Sequence, residues 1–73
     1  MFERIRDLIA HHLELSPALI TMDTNVMEDL GADSLDVAEL VMTLEEEFGI
    51  FITDEQASEM TTVGDIVRYL DTL

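Results

Sequence analysis

One segment limits the fold of this chain more than any other. Between Asp33 and Gly49, the residues Val37, Leu40, Val41, Leu44 and Phe48 fall at i, i+3, i+4, i+7 and i+11. That spacing draws a single apolar stripe along an α-helix. Asp33 or Ser34 supplies an N-cap at its start, after a break at Gly31. Gly49 supplies the C-terminal cap. With no cysteine to cross-link it, the chain has to bury this stripe against other helices. At 73 residues, 48% of them hydrophobic, it has enough apolar material for one small core.

The remaining segments supply those helices. Phe2, Ile5, Leu8, Ile9 and Leu13 recur at helical spacing among Glu3, Arg4, Arg6 and Asp7, which predicts an amphipathic first helix ending before Ser16-Pro17. From Glu14 to Asp33 the pattern is irregular, and a connection that long in so small a domain points to function. Its apolar residues Leu15, Leu19, Ile20, Val26, Met27 and Leu30 can anchor it across the helices. Thr53-Asp54-Glu55-Gln56 is a capping-box pattern opening a short third helix to about Met60. Thr61 and Thr62 open a fourth, with Val63, Ile66, Val67 and Leu70 on its inner face. The expected architecture is an all-α, up-and-down four-helix bundle, one domain over 1–73, with a long loop between helices 1 and 2.

Charge narrows the function. Seventeen acidic residues face three arginines and no lysine, for a formal net charge of −14. Such a surface repels nucleic acid and anionic membranes and attracts basic patches on proteins. The mean hydropathy of +0.21 and the clear periodicity separate the chain from disordered acidic sequences. No window approaches the ~18 apolar residues of a membrane span, and the N-terminal segment reads as a helix rather than a signal peptide. The expected compartment is the cytoplasm, which also suits a chain without cysteine.

The chemistry concentrates in Asp29-Leu30-Gly31-Ala32-Asp33-Ser34-Leu35-Asp36. Ser34 sits where the long loop meets the long helix, behind the small residues Gly31 and Ala32. The helix start offers unpaired N–H groups and a positive dipole end, while Asp33 and Asp36 oppose free anions there. Read alone, the serine is either an N-cap or a point of covalent attachment.

Gly31-Ala32-Asp33-Ser34-Leu35-Asp36, then Glu39-Leu40-Val41-Met42 and Leu44-Glu45-Glu46-Glu47-Phe48, resembles the bacterial acyl carrier protein family. Asp54-Glu55 and Thr61-Thr62-Val63 extend the resemblance over essentially the whole chain in one register. It implies that Ser34, flanked by the motif neighbours Asp33 and Leu35, carries 4′-phosphopantetheine through a phosphodiester made by a separate phosphopantetheinyl transferase. Acyl intermediates would ride as thioesters on the arm's thiol, most naturally in type II fatty-acid biosynthesis, with a polyketide or other specialised pathway as the alternative. The protein itself would be a monomeric carrier with no catalytic residue and no metal.

The resemblance also makes the exposed face of the long helix a recognition surface. Leu35, Ala38 and Met42 lie off the buried stripe, among Asp36, Glu39, Glu45 and Glu46. Methionine adapts to several surfaces, and carboxylates steer basic partners. The implied partners are acyl-transfer, condensing, reducing and dehydrating enzymes with basic docking patches. An acyl pocket would be lined by Val26, Leu30, Leu40, Leu44, Ile52, Ala57, Met60 and Ile66, all of which are also ordinary core positions. Three residues depart from the pattern of many family members, which have phenylalanine at Val26, an acidic residue at Phe51 and proline at Thr53.

Other classes fare worse. A serine hydrolase needs a histidine aligned on Ser34 and an oxyanion hole, whereas His11 and His12 are expected as exposed residues of the first helix. Asp23 and Asn25 fit the first and third positions of a calcium loop, but Glu28 replaces its glycine and Ser34 its final glutamate. An acidic helical interaction module without a prosthetic group is the competing reading.

Overall fold

The computed structural model describes residues 1–73. Four α-helices follow one another: α1 (Phe2–Leu13), α2 (Ser34–Phe48), α3 (Asp54–Glu59) and α4 (Val63–Asp71), with a 3-10 turn at Pro17–Leu19. The order and the long α1–α2 connection are those the sequence predicts. The first helix stops earlier than the proline requires. Glu14 adopts a left-handed conformation with φ 58°, and its N–H returns to the last turn, as helix ends commonly do.

Helix α1 packs on both α4 and α2. It runs antiparallel to α2, because Arg4 pairs with Glu47 at 2.9 Å near one end and His12 lies 3.5 Å from Glu39 near the other. The Arg4 guanidinium also stands 4.6 Å from the centre of the Phe48 ring, a cation–π contact. The core joins Ile5 and Ile9 of α1, Leu40 and Leu44 of α2, and Val63, Ile66, Val67 and Leu70 of α4. The short α3 buries no residue completely; Ala57 and the following Met60 lean on the core from outside.

The long loop is built by partners distant in sequence. Asn25 forms an isolated antiparallel bridge with Thr62. Val26 N–H donates to the Thr61 carbonyl at 3.1 Å, and Val63 N–H to the Thr24 carbonyl at 2.9 Å. Gly64 N–H reaches the Met22 carbonyl at 2.8 Å. A Cβ on Gly64 would stand 2.9 Å from that same oxygen, so the close approach excludes a larger residue. These bonds seat Ile20, Val26 and Ala32 in the core.

Candidate functional site

The turn before α2 is fixed from within. The Asn25 side-chain oxygen accepts from Met27 N–H at 3.0 Å and Glu28 N–H at 2.9 Å, while Asn25 N–H donates to Asp29 at 2.8 Å. Gly31 turns the chain with φ +72°, a conformation that β-carbon-bearing residues disfavour. Ala32 is then drawn into the core and Asp33 extends.

The cap of α2 is Asp33 and not Ser34. Its Oδ1 accepts from Asp36 N–H at 2.9 Å, and Asp36 Oδ2 accepts from Asp33 N–H at 3.3 Å. This reciprocal capping box makes Asp33 the N-cap and Ser34 the first residue inside the helix. The Ser34 hydroxyl is therefore not a cap; it is exposed and takes no part in the hydrogen bonds of the turn.

Ser34 also stands on the rim of a cavity of about 840 Å³, open to the surface between α2, α3 and the loop, a size usual for small-ligand sites. Its lining includes Val26, Leu40, Leu44, Ile52, Ala57, Met60 and Ile66. Leu30 does not belong with them: it lines a second hollow of about 380 Å³ with Leu15, Leu19, Thr24 and Asp29. Spacing alone could not separate the two, because Leu30 lies in the irregular loop and not on a helix face. Val37 and Met42 of α2, Met27 of the α1–α2 loop and Phe51 of the α2–α3 loop join the lining of the larger cavity; only the folded arrangement of these elements brings them together.

The outer face of α2 is apolar and acidic. Leu35, Ala38, Glu39, Met42 and Glu46 are exposed. Two expected members of this face are partly turned inward. Glu45 is half-buried, and its Oε2 accepts from Ile52 N–H at 2.8 Å, tying α2 to the next loop. Asp36 is half-buried and engaged with Asp33. His12 is also half-buried instead of freely exposed, because it faces Glu39 across the α1–α2 seam. His12, Asp36 and Glu39 thereby bring three donor atoms within 4.8 Å of one another.

An exposed hydroxyl without hydrogen-bond duties, on the fixed first turn of a helix and beside an apolar cavity, suits a covalently attached arm. The protein side offers no thiol of its own, and no helix is long and apolar enough to cross a membrane.

Comparison with known proteins gives this arrangement a family. A model of the phosphopantetheine attachment site matches residues 3–70. The chain is 47% identical over all 73 residues to an acyl carrier protein of Campylobacter hominis, covering 92% of that protein. It is 49% identical over 72 residues to one of Wolinella succinogenes, spanning 99% of this chain and 95% of that one. Among solved structures, the acyl carrier protein of Enterococcus faecalis superposes with a TM-score of 0.80 at 38% identity, covering 94% of this chain and 87% of its own. Such proteins are non-catalytic carriers whose prosthetic group is 4′-phosphopantetheine. With the attachment-site match running nearly end to end, and relatives nearly half identical along their whole length, this chain belongs to the acyl carrier protein family.

Proposed function

We propose that Ser34 is the residue that bears the 4′-phosphopantetheine. In this reading residues 1–73 act as one monomeric carrier domain for acyl thioesters in type II fatty-acid biosynthesis in the cytoplasm. One observation carries the assignment of Ser34. Asp33 takes the capping role, which leaves the Ser34 hydroxyl exposed at the cavity rim with no structural duty. When attached, the group supplies the thiol that a chain without cysteine lacks.

The chain's own residues then have separable tasks. The Asp33–Asp36 box fixes the turn, so the Ser34 hydroxyl stands clear of the surface. Both carboxylates are committed to backbone N–H groups, and His12 is committed to Glu39. The base that removes the serine proton is therefore expected from a phosphopantetheinyl transferase. Val26, Leu40, Leu44, Ile52, Ala57, Met60 and Ile66 shield apolar carbon from water, each buried methylene contributing about 0.8 kcal/mol. Leu35, Ala38 and Met42, with Glu39 and Glu46, form a docking strip for acyl-transfer, condensing, reducing and dehydrating enzymes that carry basic patches.

A second reading keeps the carrier role but moves the pathway. Phe51, a departure from the family pattern, is 78% exposed, and an apolar residue at that place changes the surface offered to partners, as a polyketide or other specialised acyl pathway would require. Co-expression with a phosphopantetheinyl transferase tests the attachment. The wild-type chain should gain the mass of one arm, and Ser34→Ala should gain none. A wild-type chain left unmodified by a competent transferase would overturn the assignment. The acyl species on the purified protein then separates the two pathways.

A further inference from the structure

Phe51 is the most exposed of the large apolar side chains, at 78%. Burying a phenylalanine stabilises a fold, and the folded domain leaves most of that gain unused. A loose loop does not explain it. Ile50 N–H donates to the Glu45 carbonyl at 3.1 Å, and Ile52 N–H to the Glu45 carboxylate at 2.8 Å. Immediately after, Thr53 accepts from Gln56 N–H and caps α3. The backbone is held on both sides of Phe51, so the ring is free chiefly in its own side-chain torsions.

That ring stands at the wall of the larger cavity, which also has Ser34, Met27 and Met42 in its lining. Met27 and Met42 are 50% and 58% exposed. Single exposed apolar residues are ordinary. Three around one opening, beside an exposed hydroxyl, make an apolar rim to a cavity whose inner wall is Leu40, Leu44 and Ile66. An acyl chain tethered at Ser34 is held at high effective concentration beside this rim, which neither a free ligand nor a passing protein matches.

We infer that Phe51 is a retention residue. Its ring turns over an acyl chain that runs from the Ser34 arm into the cavity, and so sets how firmly the chain is held inside. The inference rests on Ser34 being the attachment point. It makes retention depend on chain length, because only a chain long enough to pass the rim meets the ring.

The test compares octanoyl and acetyl thioesters of the wild-type holo-protein, Phe51→Ala and Phe51→Leu, cleaved by hydroxylamine at neutral pH. Losing the ring should speed cleavage of the octanoyl thioester about fivefold, an order-of-magnitude expectation from partial burial of the ring. Leucine should restore most of the protection, and the acetyl thioester should react equally in all three. Equal octanoyl rates, or an equal acceleration of both thioesters, would overturn the inference. So would unchanged hydroxylamine rates combined with slower transfer to a partner enzyme, which would assign the ring to docking. A wild-type protein that gains no mass at Ser34 removes the attachment reading and this one together. A loaded protein indifferent to residue 51 removes this one alone.

Discussion

Asp33 and Asp36 hold each other's backbone N–H across the first turn of α2, at 2.9 and 3.3 Å, and the residue between the cap and the second turn that gains nothing from this is Ser34. The two positions should therefore behave oppositely. Asp33→Ala removes a cap worth about 1 kcal/mol, which lowers the Tm of a domain this size by about 4–8 °C. Asp33→Asn keeps an acceptor and should melt close to the wild type. Ser34→Ala should leave the melting curve in place. Thermal unfolding followed by circular dichroism reads all three, and a Ser34→Ala protein less stable than Asp33→Ala would reverse the roles assigned here.

At the start of α4 the same device produces a pH dependence. Asp65 accepts from Thr62 N–H at 3.1 Å, from Arg68 at 2.8 Å, and from Thr61 N–H and hydroxyl at 3.2 and 3.0 Å. These contacts, the Thr62 backbone bond foremost, hold its carboxyl well below the ordinary value of 3.8. The folded state thus favours the ionised form. Its contribution is complete above the unfolded value of 3.8 and is lost as pH falls through the lower folded value. Asp65→Ala should accordingly melt lower than the wild type at pH 7, by an amount typical of a lost cap, and the gap should narrow below pH ~3.8. A gap that stays constant down to the acid transition would contradict the ionised-carboxylate account.

The elements that could be read from sequence are those held by local chemistry. The stripe Val37 to Phe48 specifies α2, and Thr53 with Gln56 specifies α3, because partners three or four residues apart suffice. The Thr62–Asp65 box was legible only as a threonine start, since aspartate is not the usual reaching residue of that motif. The loop order was not legible. Asn25 finds Thr62 and Met22 finds Gly64 across more than thirty residues, and nothing local announces such pairs. Nor did the sequence say which capping residue, Asp33 or Ser34, would take the role, or that Leu30 would face a different hollow from Val26. The run Glu45-Glu46-Glu47 looks uniform, yet only Glu45 turns in to meet the α2–α3 loop.

Excess negative charge opposes the compact state. Four acidic side chains pair with arginine or histidine, of the seventeen present. Like charges repel over about 30 Å at 0.01 M salt but only about 3 Å at 1 M. The Tm should rise steadily with sodium chloride across that range, and millimolar divalent cations should raise it more at equal ionic strength. A melting temperature indifferent to salt would mean that the unfolded chain carries the same repulsion.

Glu45 and Glu46 are adjacent acids with different work, and one substitution at each should separate fold from docking. Glu45→Ala leaves Ile52 N–H without its acceptor in a part-buried setting, at a cost of about 1–3 kcal/mol for an unsatisfied donor. It should lower the Tm and loosen the α3 side of the cavity. Glu46 is exposed and takes part in no ion pair or side-chain hydrogen bond of the fold, so Glu46→Ala should melt as the wild type does. Its effect should appear in association with a basic partner such as a phosphopantetheinyl transferase, as a slower on-rate at low salt that converges with wild type as salt rises. Stopped-flow binding across a salt series, paired with melting curves, measures both. If Glu46→Ala binds at the wild-type rate at low salt while Glu45→Ala alone slows binding, the partners read the α2–α3 junction and not the outer face of α2.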